Sequence, residues 1–260
     1  MLKLARDVAQ ALGDEQQVLW CDVYRAGNLA DEGRMDEARG LWSELIASTV
    51  WQHRNRELEA QAAHTEAVLR YHDGSLTEPD LRDIIAKAHN LGTQFHERGL
   101  WRLLGEFYHL KRDFAQAVDA SGCAIEMARN AGLIDPIAEA QRGLSLLSLG
   151  QCAAAETAAT AAERHIGANP EAEPRLSELW LALGQRDKAR DHALHGYKWA
   201  WADGPPYCHH LALEHCRAVL RALGEPEPVI PPYDSAKIEP LPYEADINRL
   251  LAEHAKKKPT

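Results

Sequence analysis

The 260-residue sequence predicts an all-α fold assembled from antiparallel helix pairs, and three observations carry that reading. The first is spacing. Between Arg98 and Ala131, Trp101, Leu104, Gly105, Tyr108, Phe114 and Ala117 fall three or four apart, with a break at Lys111-Arg112-Asp113. That rhythm marks the inward stripe of one helix, a short turn, and a second helix. The second is size. Gly105 and Ala117 are small where the two helices would touch, and Trp101, Leu104, Tyr108 and Phe114 would fill the space around that contact. The third is recurrence, since Ala117, Ala155 and Ala189 stand 38 and 34 residues apart.

Taken in order, residues 2–12 form a short amphipathic helix on Leu2, Leu4, Val8 and Leu12, ending at Gly13. Helices over 15–32 and 35–48 follow, separated by Gly33. A long helix is expected over about 51–72, ending at Asp73-Gly74. The next begins at Thr77, a suitable N-cap with Asp80 three residues on, and carries Leu81, Ile84, Ile85 and Ala88 inward. After the central pair, Pro136 suits a first helical turn. Gly143, Leu146, Gly150, Cys152, Ala155, Ala159 and Ala162 then mark one further pair, and Ser177, Trp180, Gly184, Ala189 and Ala193 another. Residues 205–223 give a last unpaired helix that would close the open end of the array, stopping at Gly224. Six prolines between Glu225 and Pro242 forbid a helix there. Val229, Ile230, Tyr233, Ile238, Leu241 and Tyr243 are too apolar for a solvated linker, so this strap is expected to pack on the array, with Tyr233 and Ile238 buried. A short helix over about 243–256 and a frayed basic tail complete the chain.

The pattern Trp101-x2-Leu104-Gly105-x2-Tyr108, with Ala117 beyond it, resembles the tetratricopeptide repeat, a helix–turn–helix unit of about 34 residues. The likeness covers 15–223; it is closest over 98–203, looser over 19–52 and loosest over 53–97. Over 19–52, Ala26 matches the small position of the first helix and Leu29 the tyrosine, Gly33 the turn, while Asp22 stands in place of the tryptophan. The resemblance implies a right-handed superhelical solenoid of about five such hairpins with capping helices. It divides the chain into a repeat domain (1–224), the proline-rich strap (225–242) and a terminal helix with its tail (243–260).

Composition narrows the function. A formal charge of −10 disfavours nucleic-acid binding, which needs clustered Lys and Arg. Cys21, Cys123, Cys152, Cys208 and Cys216 show no paired spacing, as expected of reduced thiols in a cytoplasmic protein. The N-terminal residues offer no apolar core for a signal peptide, and no run reaches the length of a membrane span. Phosphate-binding loops, HExxH and GxSxG are absent from the sequence, and no constellation places an acid, base or nucleophile together. An enzyme is therefore not expected, and neither is a cofactor.

The metal-like stretch Cys208-His209-His210-x4-His215-Cys216 pairs its ligand types seven residues apart, about 10 Å along a helix and too far for one ion. Core thiols and surface histidines account for it, and no metal is expected. His192 and His195, three apart, and the other scattered histidines need no ligand role either. The aromatic residues Trp199, Trp201 and Tyr207 suit a seal between the last pair and its cap.

The resemblance implies a concave groove lined by the first helix of each pair. Projecting that face selects Val23, His64, Tyr71, Arg102, Glu106, His109, Ala140, Leu144, Leu147, Glu178 and Leu181. The Lys and Asn carboxylate clamp of chaperone-tail binders is missing at the matching positions. The mixed surface fits a peptide or protein partner with a few apolar anchors, on a chain free to oligomerise. The expectation is a non-catalytic protein-binding scaffold. The alternative is a sensor module like the irregular arrays of bacterial signal-transduction and defence ATPases, suggested by the short helix at 2–12.

Overall fold

The computed structural model describes residues 2–234, 236 and 241–257. Among these residues there are thirteen α-helices and no strand. They are α1 (Leu2–Leu12), α2 (Glu15–Asp31), α3 (Met35–Ala47), α4 (Arg56–His72), α5 (Glu78–Leu91), α6 (Gln94–Leu110), α7 (Phe114–Asn130), α8 (Pro136–Ser148), α9 (Cys152–Arg164), α10 (Glu173–Ala182), α11 (Arg186–Trp201), α12 (His210–Leu223) and α13 (Glu244–Lys257). None of the described helices is long and apolar enough to cross a membrane.

Local chemistry sets the starts. Thr77 Oγ1 accepts from Asp80 N at 3.4 Å and Asp80 Oδ2 accepts from Thr77 N at 3.2 Å, the reciprocal capping box that the spacing predicts. Asn55 Oδ1 accepts from Leu58 N at 2.9 Å, so α4 begins at Arg56. The helix expected from about residue 51 is corrected by this cap: Thr49–His53 is a separate 3₁₀ turn. The helix expected over 205–223 is corrected likewise: it starts at His210, because residues 205–208 are turn and bend.

The chain divides into two compact units. One comprises Met1–Ala30, Arg34–Gly74 and Asp234–Thr260, the other Asp31–Gly33 and Ser75–Tyr233. In the first, Leu19, Val23, Leu45 and Leu58 form one apolar cluster, and Leu29, Ala30, Ala38 and Leu69 another. Trp42 meets Trp51 edge to face at 5.3 Å between centroids. Helix α13 packs against α1. Asp22, at the position where the repeat pattern expects tryptophan, is buried and accepts from Arg6 Nε at 2.7 Å.

In the second unit each helix packs on the next from α5 to α8, α8 packs on α9, and α10, α11 and α12 pack in succession. A further set of contacts joins α6 to α8, α8 to α10 and α10 to α12. Small residues make these approaches possible. A Cβ on Gly105 would lie 2.5 Å from Ser121 Oγ and 3.5 Å from the Ala117 carbonyl oxygen. On Gly143 it would lie 2.4 Å from Leu179 Cδ2 and 3.4 Å from the Ala155 carbonyl oxygen. Ala117, Ala155 and Ala189 are all fully buried, as the spacing requires.

The turns recur with the alanines. Asp113 N donates to Tyr108 O at 3.0 Å, Gln151 N to Leu146 O at 2.9 Å and Gln185 N to Trp180 O at 2.9 Å. Each closing turn contains one residue in the left-handed region: Arg112 at φ 62°, Gly150 at 77° and Gly184 at 79°. Leu104 and Tyr108 face inward, and the Tyr108 hydroxyl donates to Glu78 Oε1 at 2.5 Å while accepting from Arg82 Nη2 at 2.7 Å, tying α5 to α6. Trp101 packs, half-buried, against Ala124, Ile125 and Ala138.

Residues 225–233 run without helix or strand along the end of this unit. Ile230 packs against the core cluster, and Tyr233 is half-buried with its ring 4.6 Å from that of Tyr207. Ile238, expected to be buried with it, lies outside the described residues.

Candidate functional site

The first helices of successive pairs in the second unit, α6, α8 and α10, together with α12, carry one continuous polar seam. Glu106 on α6 is 8% exposed, and its carboxylate accepts from Arg175 Nη2 on α10. Arg175 Nη1 also donates to Glu178 Oε2 at 2.8 Å. Glu178 Oε1 is bonded to His215 Nδ1 on α12. On the α8 side, Gln141 Nε2 donates to Glu106 Oε2 at 3.4 Å and His109 Nδ1 lies 2.9 Å from Ser145 Oγ. The seam is therefore held by hydrogen bonds between residues 69 and 37 positions apart in the chain.

Burial and charge set its protonation. Desolvation would raise the Glu178 carboxyl, yet the hydrogen bond from His215 and the Arg175 charge outweigh it and hold the group at about 2. His109 is pushed the other way for a base: burial lowers its pKa, which favours the neutral ring against Ser145. One arginine thus faces two carboxylates, and the His215 ring is hydrogen-bonded to the second of them.

Apolar side chains continue the same helix faces. Leu144 follows Gln141 by three residues and Leu181 follows Glu178 by three; these two and Leu147 are half-buried against the core, with an edge still accessible. Arg102 lies one turn before Glu106 and is half-buried, with Nη1 3.6 Å from Asp135 Oδ1 and 4.0 Å from Glu171 Oε1. Asp135 is 4% exposed, caps α8 through Ala138 N at 3.1 Å, and also faces Arg98 Nε at 3.5 Å.

Eight of the expected groove residues thus share the second unit: Arg102, Glu106, His109, Ala140, Leu144, Leu147, Glu178 and Leu181. Glu106 is less open than a groove residue should be, because Arg175 covers its carboxylate. Ala140 is corrected outright; it is fully buried in the core. Val23, His64 and Tyr71 belong to the first unit. Val23 is also a correction: it is 0% exposed, because it lies on the face of α2 that packs with Leu19, Leu45 and Leu58 in an apolar cluster. His64 and Tyr71 are half-buried on α4.

The Cys208–Cys216 stretch points to several neighbours. His209 stacks on Trp199 with centroids 4.5 Å apart, and His215 belongs to the seam. The Cys216 thiol packs beneath Gly196, where burial first and then the Glu178 and Glu173 charges push it up to about 12. No group of three potential ligands is placed to hold a metal ion among the described residues. His192 is bound instead by two carboxylates, Glu173 at 2.5 Å and Glu163 at 3.3 Å, with His195 3.9 Å from Glu173 and Lys188 2.8 Å from Glu163.

Sequence reasoning passed over Arg175, Gln141, Ser145 and His215 as seam residues. The one local signal was Arg175 three residues before Glu178, a same-face pair on one helix. No protein-family model and no curated protein matches the chain.

Proposed function

We propose that this protein is a non-catalytic interaction scaffold, built as a right-handed superhelix of about five tetratricopeptide-like hairpins, that holds a peptide or protein segment along the α6–α8–α10 face. One observation carries the reading. Glu106, Arg175, Glu178 and His215 are locked into a preformed seam by their own hydrogen bonds, with Leu144, Leu147 and Leu181 half-open beside it. A surface already ordered loses little entropy when a flexible ligand arrives. Apolar edges beside a hydrogen-bonded polar seam suit a segment with aliphatic anchors, and the formal charge of −10 favours the approach of a basic one.

The same packing that recurs through α6–α12, with its small-residue contacts and matching turns, supports the repeat reading of this half of the chain. The test is affinity capture from the native host with the wild-type chain and with Arg102→Ala, Leu144→Ser and Leu147→Ser variants, followed by calorimetry on whatever the wild type retains. A partner held by the wild type and lost by at least about tenfold, roughly 1.4 kcal/mol, in the Leu144 and Leu147 variants is the expected result. Equal retention by all of them rejects this face as the binding surface.

A further inference from the structure

At the far end of the second unit, a second surface already holds an extended peptide, and that peptide is the chain's own strap. Tyr197 and Trp201, on successive turns of α11, stack with centroids 5.8 Å apart and rings within 17° of parallel. Tyr197 Oη donates to Glu227 Oε2 at 3.1 Å, and Arg217 Nε on α12 donates to the same oxygen at 2.9 Å. Trp201 Nε1 donates to the Pro231 carbonyl at 3.0 Å. Ile230 seats against the core and Tyr233 meets Tyr207 edge on at 4.6 Å.

The strap residues that reach this shelf through their side chains are Glu227, Ile230 and Tyr233, three apart each time. A polyproline-type helix has three residues per turn, so these three share one face of it. Val229 between them is fully exposed. Pro226, Pro228, Pro231 and Pro232 predispose the segment to that conformation, so little backbone freedom is lost on seating. Gly204 permits the close approach. A Cβ there would lie 2.8 Å from Tyr233 N and 3.1 Å from Pro232 Cα.

The geometry points to a recognition site for extended, proline-rich peptides. The shelf formed by Tyr197, Trp201, Tyr207 and Arg217 reads a carboxylate, a branched aliphatic and an aromatic ring at three-residue intervals, and the strap is its resident competitive ligand. The partner it fits is a proline-rich segment of another protein carrying that same pattern. Aromatic rings with an indole donor are the means by which such helices are bound, the donor meeting a carbonyl that the prolines leave unpaired. Among its described residues the strap holds on by single contacts with no ladder of backbone bonds, so it is displaceable, while its tether keeps it present at an effective concentration on the order of millimolar.

The test uses the full chain carrying Glu227→Ala, Ile230→Ala and Tyr233→Ala, which releases the strap and leaves the shelf intact. The probe is a synthetic peptide of residues 225–234, with a scrambled peptide of equal composition beside it, followed by calorimetry and by the Trp201 indole resonance. Saturable binding to the variant, at least about tenfold tighter than to the wild type and absent for the scrambled peptide, is expected. No binding to a variant that keeps its helical signal, or equal binding of the scrambled peptide, overturns the proposal. If the triple variant does not fold, Glu227→Ala alone serves. Binding tighter than to the wild type supports the site, and binding no tighter overturns it. The seam on α6–α10 contributes no side chain to this shelf, so failure here leaves the scaffold reading standing, and the reverse.

Discussion

Single residues decide how closely the helices of the second unit approach. Gly196 on α11 has no room for a side chain: a Cβ would lie 2.9 Å from Cys216 Sγ and 3.2 Å from Pro174 N, a backbone atom that cannot swing away. Gly122 on α7 has open space around it. Alanine should therefore act oppositely at the two sites. Gly122→Ala gains helix propensity and is expected to stabilise by roughly 0.5–1 kcal/mol. Gly196→Ala adds overpacking of about 1–3 kcal/mol against that gain and is expected to destabilise. Urea midpoints at unchanged slope measure both. His192 is a second case, where burial lowers the pKa but the bonds to Glu173 and Glu163 win and raise it above 6.5. A raised histidine stabilises fully below its unfolded pKa and loses that contribution as pH rises through the folded value. Stability should thus fall as pH rises above about 6.5 in the wild type by an increment missing from His192→Gln. A curve of the same shape in both proteins would remove His192 from the account. His109 acts with the opposite sign, its depressed pKa costing stability as pH drops below 6.5.

At the scale of elements, caps and turns were the most readable features. The Thr77–Asp80 box and the turn glycines at 150 and 184 follow from residue type and spacing. In the first of the three equivalent turns Arg112 holds φ 62° where the others have glycine. Left-handed backbone costs a residue with a Cβ about 1 kcal/mol, so Arg112→Gly is expected to stabilise by about 0.5–1 kcal/mol in chemical denaturation. The start of α8 was legible through Pro136 alone. That Asp135 caps it while buried between Arg98 and Arg102 depends on α6 lying alongside. Asp135→Asn keeps the cap oxygen and loses the charge, whereas Asp135→Ala loses both. The alanine variant should be the less stable by about 1 kcal/mol, the worth of a cap, and equal losses would show that the cap contributes nothing.

At the scale of the whole molecule, the composition predicts that the strap packs along the array, whereas nothing in it predicts that the terminal helix packs against α1. Among its described residues the strap accepts three hydrogen bonds from side chains of the second unit and adds the contacts of Ile230 and Tyr233. At roughly 1 kcal/mol for each hydrogen bond, deleting residues 225–260 should lower the melting temperature by several degrees. An unchanged melting curve would mean that the strap rests on the surface without stabilising it. The two compact units were not foreseen from the chain, since the pattern of apolar residues runs on through 53–97 with only a loss of register.

The sequence by itself determined that the protein is helical, where most helices begin and end, and which small residues meet at Gly105–Ala117 and Gly143–Ala155, because these follow from periodicity, capping and side-chain volume within a few turns. It also marked Glu106, His109 and Glu178 as residues of one face. The tertiary structure alone decided that Arg175 bridges Glu106 and Glu178, that His215 completes the seam, that Val23 turns into the core, and that Tyr197 and Arg217 receive Glu227. Those contacts join positions tens of residues apart, and their geometry is set by how helices stack, which no local spacing encodes.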